Sequence, residues 1–236
     1  YNLKALSSWY LKLDKKIFGT LFFSILAAVM GVGIVVPLLP VYASKLGASG
    51  LYIGLIFGAF SISRTALLPF FGRWSDRKGR KPFIVAGLLA YALVSVAFIL
   101  FPRVNQMIAI RFFQGMASAM IMPVIQAYIG DITPRGREGF VTGVFNMSLF
   151  FGLSLGPVAG GVISDRFNLQ AAFVCMGMLA LIGFALCAWL LPATHQEEVF
   201  RKGRQPLQWR VILSDRSIVG LFVFRLAYTA GIGIIW

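Results

Sequence analysis

The 236-residue sequence is 58 % apolar and 13 % charged, with a formal net charge of +14 and a mean hydropathy of +0.82. A soluble domain carries about 25 % charged residues, so this composition excludes one and implies a chain that crosses a membrane repeatedly. In a soluble chain +14 would read as a nucleic-acid footprint; here the 22 Lys and Arg gather at the ends of apolar runs, which excludes nucleic acid as a partner.

In chain order, residues 1–16 place Trp9, Tyr10 and Leu11 beside Lys12, Lys15 and Lys16, an amphipathic segment suited to a membrane surface. The first span is expected at 17–42, long enough for a hydrocarbon core that needs about 20 residues. It contains Gly31, Gly33, Pro37 and Pro40, so its far half is expected to bend. Further spans follow at 51–71, 82–101, 107–129, 140–163 and 171–191, the last holding both cysteines, Cys175 and Cys187, as packing residues. A basic stretch over 192–216, with Trp209 as an interface anchor, reads as a linker. A seventh apolar run over 217–236 carries Arg225. The first residue is not Met and the last lies inside an apolar run, so the chain is read as part of a longer protein whose second half is missing.

The most informative stretch is Gly-Arg-Trp-Ser-Asp-Arg-Lys-Gly-Arg-Lys at 72–81, six of whose ten residues are charged. It is expected as a Gly-rich turn in water. Counted loop by loop, the N-terminal side holds sixteen Lys and Arg and the other side only Lys45, Arg103 and Arg166, which places the N-terminus in the cytoplasm. Asp76 weakens that bias, so the stretch does more than orient the chain.

An internal repeat is visible. Pro69-x-x-Gly72-x-x-Ser75-Asp76-Arg77 returns as Pro157-x-x-Gly160-Gly161-x-x-Ser164-Asp165-Arg166, and Pro37-x-x-x-x-Tyr42 as Pro123-x-x-x-x-Tyr128, at offsets close to 88 residues. That offset spans three helices. Three is odd, so the copies are inverted across the bilayer, the mark of secondary transporters.

Four stretches resemble motifs of the major facilitator superfamily. Gly72 to Lys81 is similar to its signature loop between spans two and three, and Arg111-Phe-Phe-Gln114-Gly115 to its fourth-span motif. Gly152-x-x-x-Gly156-Pro157-x-x-Gly160-Gly161 resembles the fifth-span motif of its antiporters, and Gly33-x-x-x-Pro37-x-x-Pro40 the first-span motif of its multidrug and tetracycline exporters. The resemblance implies an all-α membrane protein with the major facilitator fold, here a six-helix N-terminal bundle (17–191) of two inverted three-helix repeats and the start of a seventh helix. It implies a secondary active transporter working by alternating access, most readily an efflux antiporter of drugs or organic anions. The alternative is a passive facilitator or importer of an anionic metabolite.

The candidate residues fall into groups. Gly72, Asp76, Arg77, Gly79, Arg80, Lys81 and Asp131 form an expected cytoplasmic gate, with Arg80 able to sit between two acids; in relatives the Asp of this loop also caps a helix of the other half. Gly152, Gly156 and Gly160 share one helix face, where small residues let backbones meet, and Gly161 is expected to widen it. Pro157 leaves the carbonyl four residues earlier unpaired and bends the span. Arg64, Arg111, Gln114 and Arg225 are candidates for coupling or substrate contact, because a charge at the bilayer centre costs about 2.5 to 3.5 kcal/mol. The resemblance links Arg111 to proton coupling; snorkelling to the outer surface is its alternative.

None of the eight acids lies within a span, the lone His195 sits after the sixth, and Ala28 stands where the tetracycline antiporters carry an acid. Coupling would then use acids in the missing half, or the protein is not a proton antiporter, or the solute itself carries the compensating charge. Phe57, Phe60, Met120, Met122, Phe145 and Met147 are available as cavity lining. Two Arg beside such a lining suit an organic anion or zwitterion with an apolar body. A seven-span receptor would need an external N-terminus, and a membrane enzyme an intramembrane acid pair, metal site or nucleophile motif. The expectation is therefore no enzyme, no cofactor and no metal. Partners are a small-molecule substrate and membrane lipid, with protons as a candidate coupling ion, in a monomeric, multi-pass protein of a bacterial inner membrane.

Overall fold

The computed structural model describes residues 14–134, 136–192, 218–221, 223, 224 and 227. Two compact units divide the chain, Tyr1–Gln196 and Glu197–Trp236. The described residues of the second unit are helical. The expected surface segment, apart from Asp14 to Lys16, nearly all of the linker, and Arg225 lie outside the described residues.

The described part of the first unit is all helical: α1 (Lys15–Val35), α2 (Leu38–Lys45), α3 (Gly50–Lys78), α4 (Arg80–Leu100), α5 (Val104–Ile132), α6 (Glu138–Arg166) and α7 (Leu169–Leu190). Counting Lys15–Lys45 as one, six helices among the described residues are long and apolar enough to cross a bilayer. The protein is a multi-pass integral membrane protein.

Local chemistry sets the ends. Asp14 Oδ1 accepts from the backbone N–H of Lys16 at 2.9 Å and of Ile17 at 3.2 Å, so the residue read as part of a surface segment is the N-cap of α1. The bend foreseen in the first span is a break at Val36 and Pro37. Pro37 and Pro40 together deprive the carbonyls of Gly33 and Val36 of their helical donors. Single prolines at 69, 123 and 157 leave α3, α5 and α6 continuous.

Where a Gly-rich turn was expected, residues 72–78 instead complete α3, and the turn shrinks to Gly79 at φ +93°. One isolated Gly does not stop a helix that already has a turn of hydrogen bonds to extend. A left-handed φ at Gly79 does. Arg77 and Lys78 occupy the last turn, where cations complement the partial negative charge of the helix end.

The packing follows the repeat. Exchanging α1 with α5, α3 with α6 and α4 with α7 turns the extensive α3–α5 contact into α6–α1 and α1–α7 into α5–α4, and leaves α4–α7 in place. The two crossings least buried within the fold, α3 at 11 % and α6 at 22 % of their apolar windows, are counterparts as well. One buried cluster, with Leu21, Ile25, Tyr128 and Leu191, lies toward the Arg80 end; another, with Leu39, Phe98, Met107 and Phe173, lies toward the Lys45 end.

Candidate functional site

The strongest local anomaly is a buried charge. Arg111, two turns into α5, is 2 % exposed, which removes the snorkelling alternative. Its guanidinium carbon lies 4.5 Å from the Phe60 ring centroid and 5.1 Å from that of Phe57, and one terminal nitrogen donates to Gln114 Oε1 at 2.7 Å. Gln114, fully buried, points its amide nitrogen at Met176 Sδ, 3.8 Å away. The Arg111 Nε has no hydrogen-bond partner, and no carboxylate among the described residues pairs with this side chain.

Gly115 makes this arrangement possible. A Cβ there would run into Ser63 Oγ and the Phe60 carbonyl oxygen, so only glycine lets α3 come close enough to lay Phe57 and Phe60 over Arg111. Desolvated cation–π contacts contribute about 2 kcal/mol and a hydrogen bond to a charged group about 1.5–3 kcal/mol. Together they offset the cost of burying the charge at about 2.5–3.5 kcal/mol. No acid is required.

Arg64 stands at the middle of α3, about 21 Å from either end at 1.5 Å per residue, and is half-buried. Of the expected lining, Phe57 and Phe60 touch Arg111, while Met120 and Met122 are partly buried against the core. Phe145 is 1 % exposed inside the core and Met147 is 48 % exposed; both sit on α6.

At the other end of the bundle Arg80, 3 % exposed, meets three side chains among the described residues. It contacts Asp76 at 2.5 Å, Asp131 at 3.1 Å and Ser75 Oγ at 3.1 Å. Lys81 turns elsewhere and donates to the Leu191 carbonyl at 2.6 Å, at the C-terminal end of α7. Consecutive bases therefore tie α4 to α3 and α5 on one side and to α7 on the other. Arg77 is not part of this network. It is exposed on the far side of α3, and Gly72 faces open space.

The glycine face of α6 is a two-sided seam. A Cβ on Gly152 would lie 3.0 Å from Met30 N, one on Gly156 2.7 Å from Gly33 Cα, and one on Gly160 2.5 Å from the Ile34 carbonyl oxygen. Pro157 packs on Gly33 from the same side. Gly161 meets nothing within 4 Å, so it does not widen the seam: one residue on is a rotation of about 100°, off the contact face.

The Major Facilitator Superfamily model matches residues 21–235. The chain belongs to this superfamily. It is 32 % identical over 224 residues to an uncharacterised MFS-type transporter of Methanocaldococcus jannaschii, covering 92 % of this chain and 57 % of that protein. Multidrug resistance protein 2 of Bacillus subtilis is 34 % identical over 178 residues, 75 % of this chain and 44 % of that protein. The quinolone resistance protein NorA of Staphylococcus aureus is 28 % identical over 221 residues, 91 % of this chain and 56 % of that protein. The chain thus spans about half the length of the curated relatives it matches. In structure it resembles the human organic anion transporter MFSD10, with a TM-score of 0.65 and 19 % identity, over 77 % of this chain and 48 % of that one.

Within this superfamily member, several contributors escaped the sequence reading. Ser75 accepts from Arg80 while donating to the Gly72 carbonyl at 2.8 Å; its place one residue before Asp76 was the available signal. Gly87, whose Cβ would meet Ile121 Cγ1 at 2.6 Å, and Gly177, whose Cβ would meet Ser95 Oγ at 2.6 Å, hold α4 against α5 and α7. Isolated glycines carry no spacing pattern. The Leu191 carbonyl that Lys81 meets left no signal, being backbone.

Proposed function

We propose that the whole protein is a secondary transporter that moves a small amphipathic organic anion across the membrane by alternating access. The observation that carries this reading is Arg111, a buried charge that no carboxylate among the described residues pairs, with an unused Nε and two aromatic rings against it. A site that keeps one positive charge unneutralised in low dielectric favours an anion and disfavours a cation. Arg64 adds to the same field, and aromatic surface accommodates an apolar body. Arg225 is retained as a candidate contact from the sequence alone.

In this reading the N-terminus is cytoplasmic, from the sixteen-to-three distribution of Lys and Arg. The Asp76–Arg80–Asp131 network holds the cytoplasmic ends of α3, α4 and α5 together, and the α1–α6 glycine seam is the surface along which the bundle packs as it rocks. Passive passage or import of an anionic metabolite is supported by the positive charge of Arg111, which no carboxylate among the described residues neutralises. Efflux by antiport is the second reading, supported by the drug-resistance names of two relatives.

Uptake of anionic and cationic amphiphiles into proteoliposomes of the purified protein tests both. Anion uptake is expected to fall in Arg111→Ala and Arg64→Ala with cation uptake unimproved; an unchanged anion rate in both variants overturns the reading. Counterflow insensitive to a pH gradient supports the facilitator, and counterflow driven by it supports antiport.

A further inference from the structure

Bases at the ends of spans orient a chain wherever they point, yet three of them here surround a shaped surface. On α3, toward the Arg80 end, Leu67, Phe70, Phe71 and Trp74 line a groove of about 430 Å³ that Arg73 and Arg77 also border. Residues 67, 70, 71, 74 and 77 recur at helical spacing and share one face. Phe71, Trp74 and Phe83 form a ring cluster with centroids 6.2 to 6.5 Å apart, giving the groove a firm aromatic wall. Lys78 Nζ sits 5.1 Å from the Trp74 ring.

Arg73, Arg77 and Lys78 are exposed and make no ion pair among the described residues. The nearest acid in sequence, Asp76, is engaged by Arg80 at 2.5 Å. Two guanidiniums beside an apolar trough are complementary to a molecule with an anionic head and a hydrocarbon tail. Length decides which one. From residue 67 to residue 77 is about 15 Å along the helix, half of a hydrocarbon core about 30 Å thick, so the trough spans one leaflet.

We propose that this groove binds one anionic phospholipid, its phosphate held by Arg73 and Arg77 and one acyl chain laid along Leu67, Phe70 and Trp74. Guanidinium groups pair bidentately with phosphate, and basic residues at this depth attract anionic headgroups. Trp74, with an apolar body and a polar N–H, marks the level where head meets tail. The site is separate from Arg111 and stands whether or not the transport reading does.

The test places the protein in nanodiscs, with Trp74 as its single tryptophan and the other four changed to Phe. Emission is followed at matched mole fractions of dibrominated phosphatidylglycerol or dibrominated phosphatidylcholine. Several-fold stronger quenching by phosphatidylglycerol is expected, undiminished by inorganic phosphate and lost in Arg73→Gln/Arg77→Gln. Equal quenching by the two lipids overturns the proposal by showing only bulk contact. Absence of quenching by either overturns it by showing that protein covers the groove. Native mass spectrometry of the unmodified protein, given both lipids in equal amounts, reads the same preference without any substitution; equal retention again overturns it.

Discussion

A Cβ on Gly156 would stand 2.7 Å from the Cα of Gly33, so α1 and α6 touch backbone to backbone. The contact is reciprocal, since a Cβ on Gly33 would meet Gly156 Cα at 3.2 Å and the Gly152 carbonyl oxygen at 3.1 Å. Without a hydrophobic driving force between helices in lipid, such close approach is what holds them.

Gly156→Ala is expected to force the two helices apart, at about 1–3 kcal/mol. Thermal unfolding in detergent reads this as a clear drop in Tm. Gly161→Ala, five residues on and facing open space, is expected to stay within about 0.5 kcal/mol of the parent. Equal effects at the two positions would contradict the seam.

Arg80→Met leaves Asp76 and Asp131 facing each other without their shared cation. Removing one partner of a buried ion pair costs about 3–5 kcal/mol; the two carboxylates are each 29 % exposed, which places the expected loss at the lower end. Lys81→Met removes a single hydrogen bond to Leu191 and is expected to cost about 1–2 kcal/mol. Denaturation midpoints of the two variants should fall in that order.

Gln114→Glu puts a carboxylate where Gln114 Oε1 now accepts from Arg111 at 2.7 Å. The internal pair would satisfy the guanidinium and compete with an incoming anion, weakening binding of an anionic amphiphile about 10- to 100-fold, the equivalent of about 1.5–3 kcal/mol. Calorimetric titration of parent and variant measures it. Unaltered affinity would remove Arg111 from the anion site.

Pro37→Ala restores an N–H opposite the Gly33 carbonyl and is expected to join α1 to α2. Hydrogen exchange at residues 36–41 should slow relative to the parent. Pro123→Ala, in the continuous helix α5, should leave exchange there close to its parent rate. Similar behaviour at both would mean that the break at Val36 and Pro37 has another cause.

The sequence by itself determined the six crossings seen among the described residues, the inverted triplets and the Arg80–acid network. Hydrophobic run length must match the bilayer, and charges must reach water or one another, so both are written in composition along the chain. What it could not assign was direction around each helix. Gly160 and Gly161 are neighbours in sequence, yet one meets Ile34 and the other meets nothing; Asp76 and Arg77 likewise part company, one toward Arg80 and one toward the groove. Only the tertiary structure decided that Arg111 lies under two phenyl rings and that residues 72–78 complete a helix. Both depend on how closely α3 and α5 approach at Gly115 and on the φ of Gly79, which are distances and torsions set by packing between segments far apart in the chain.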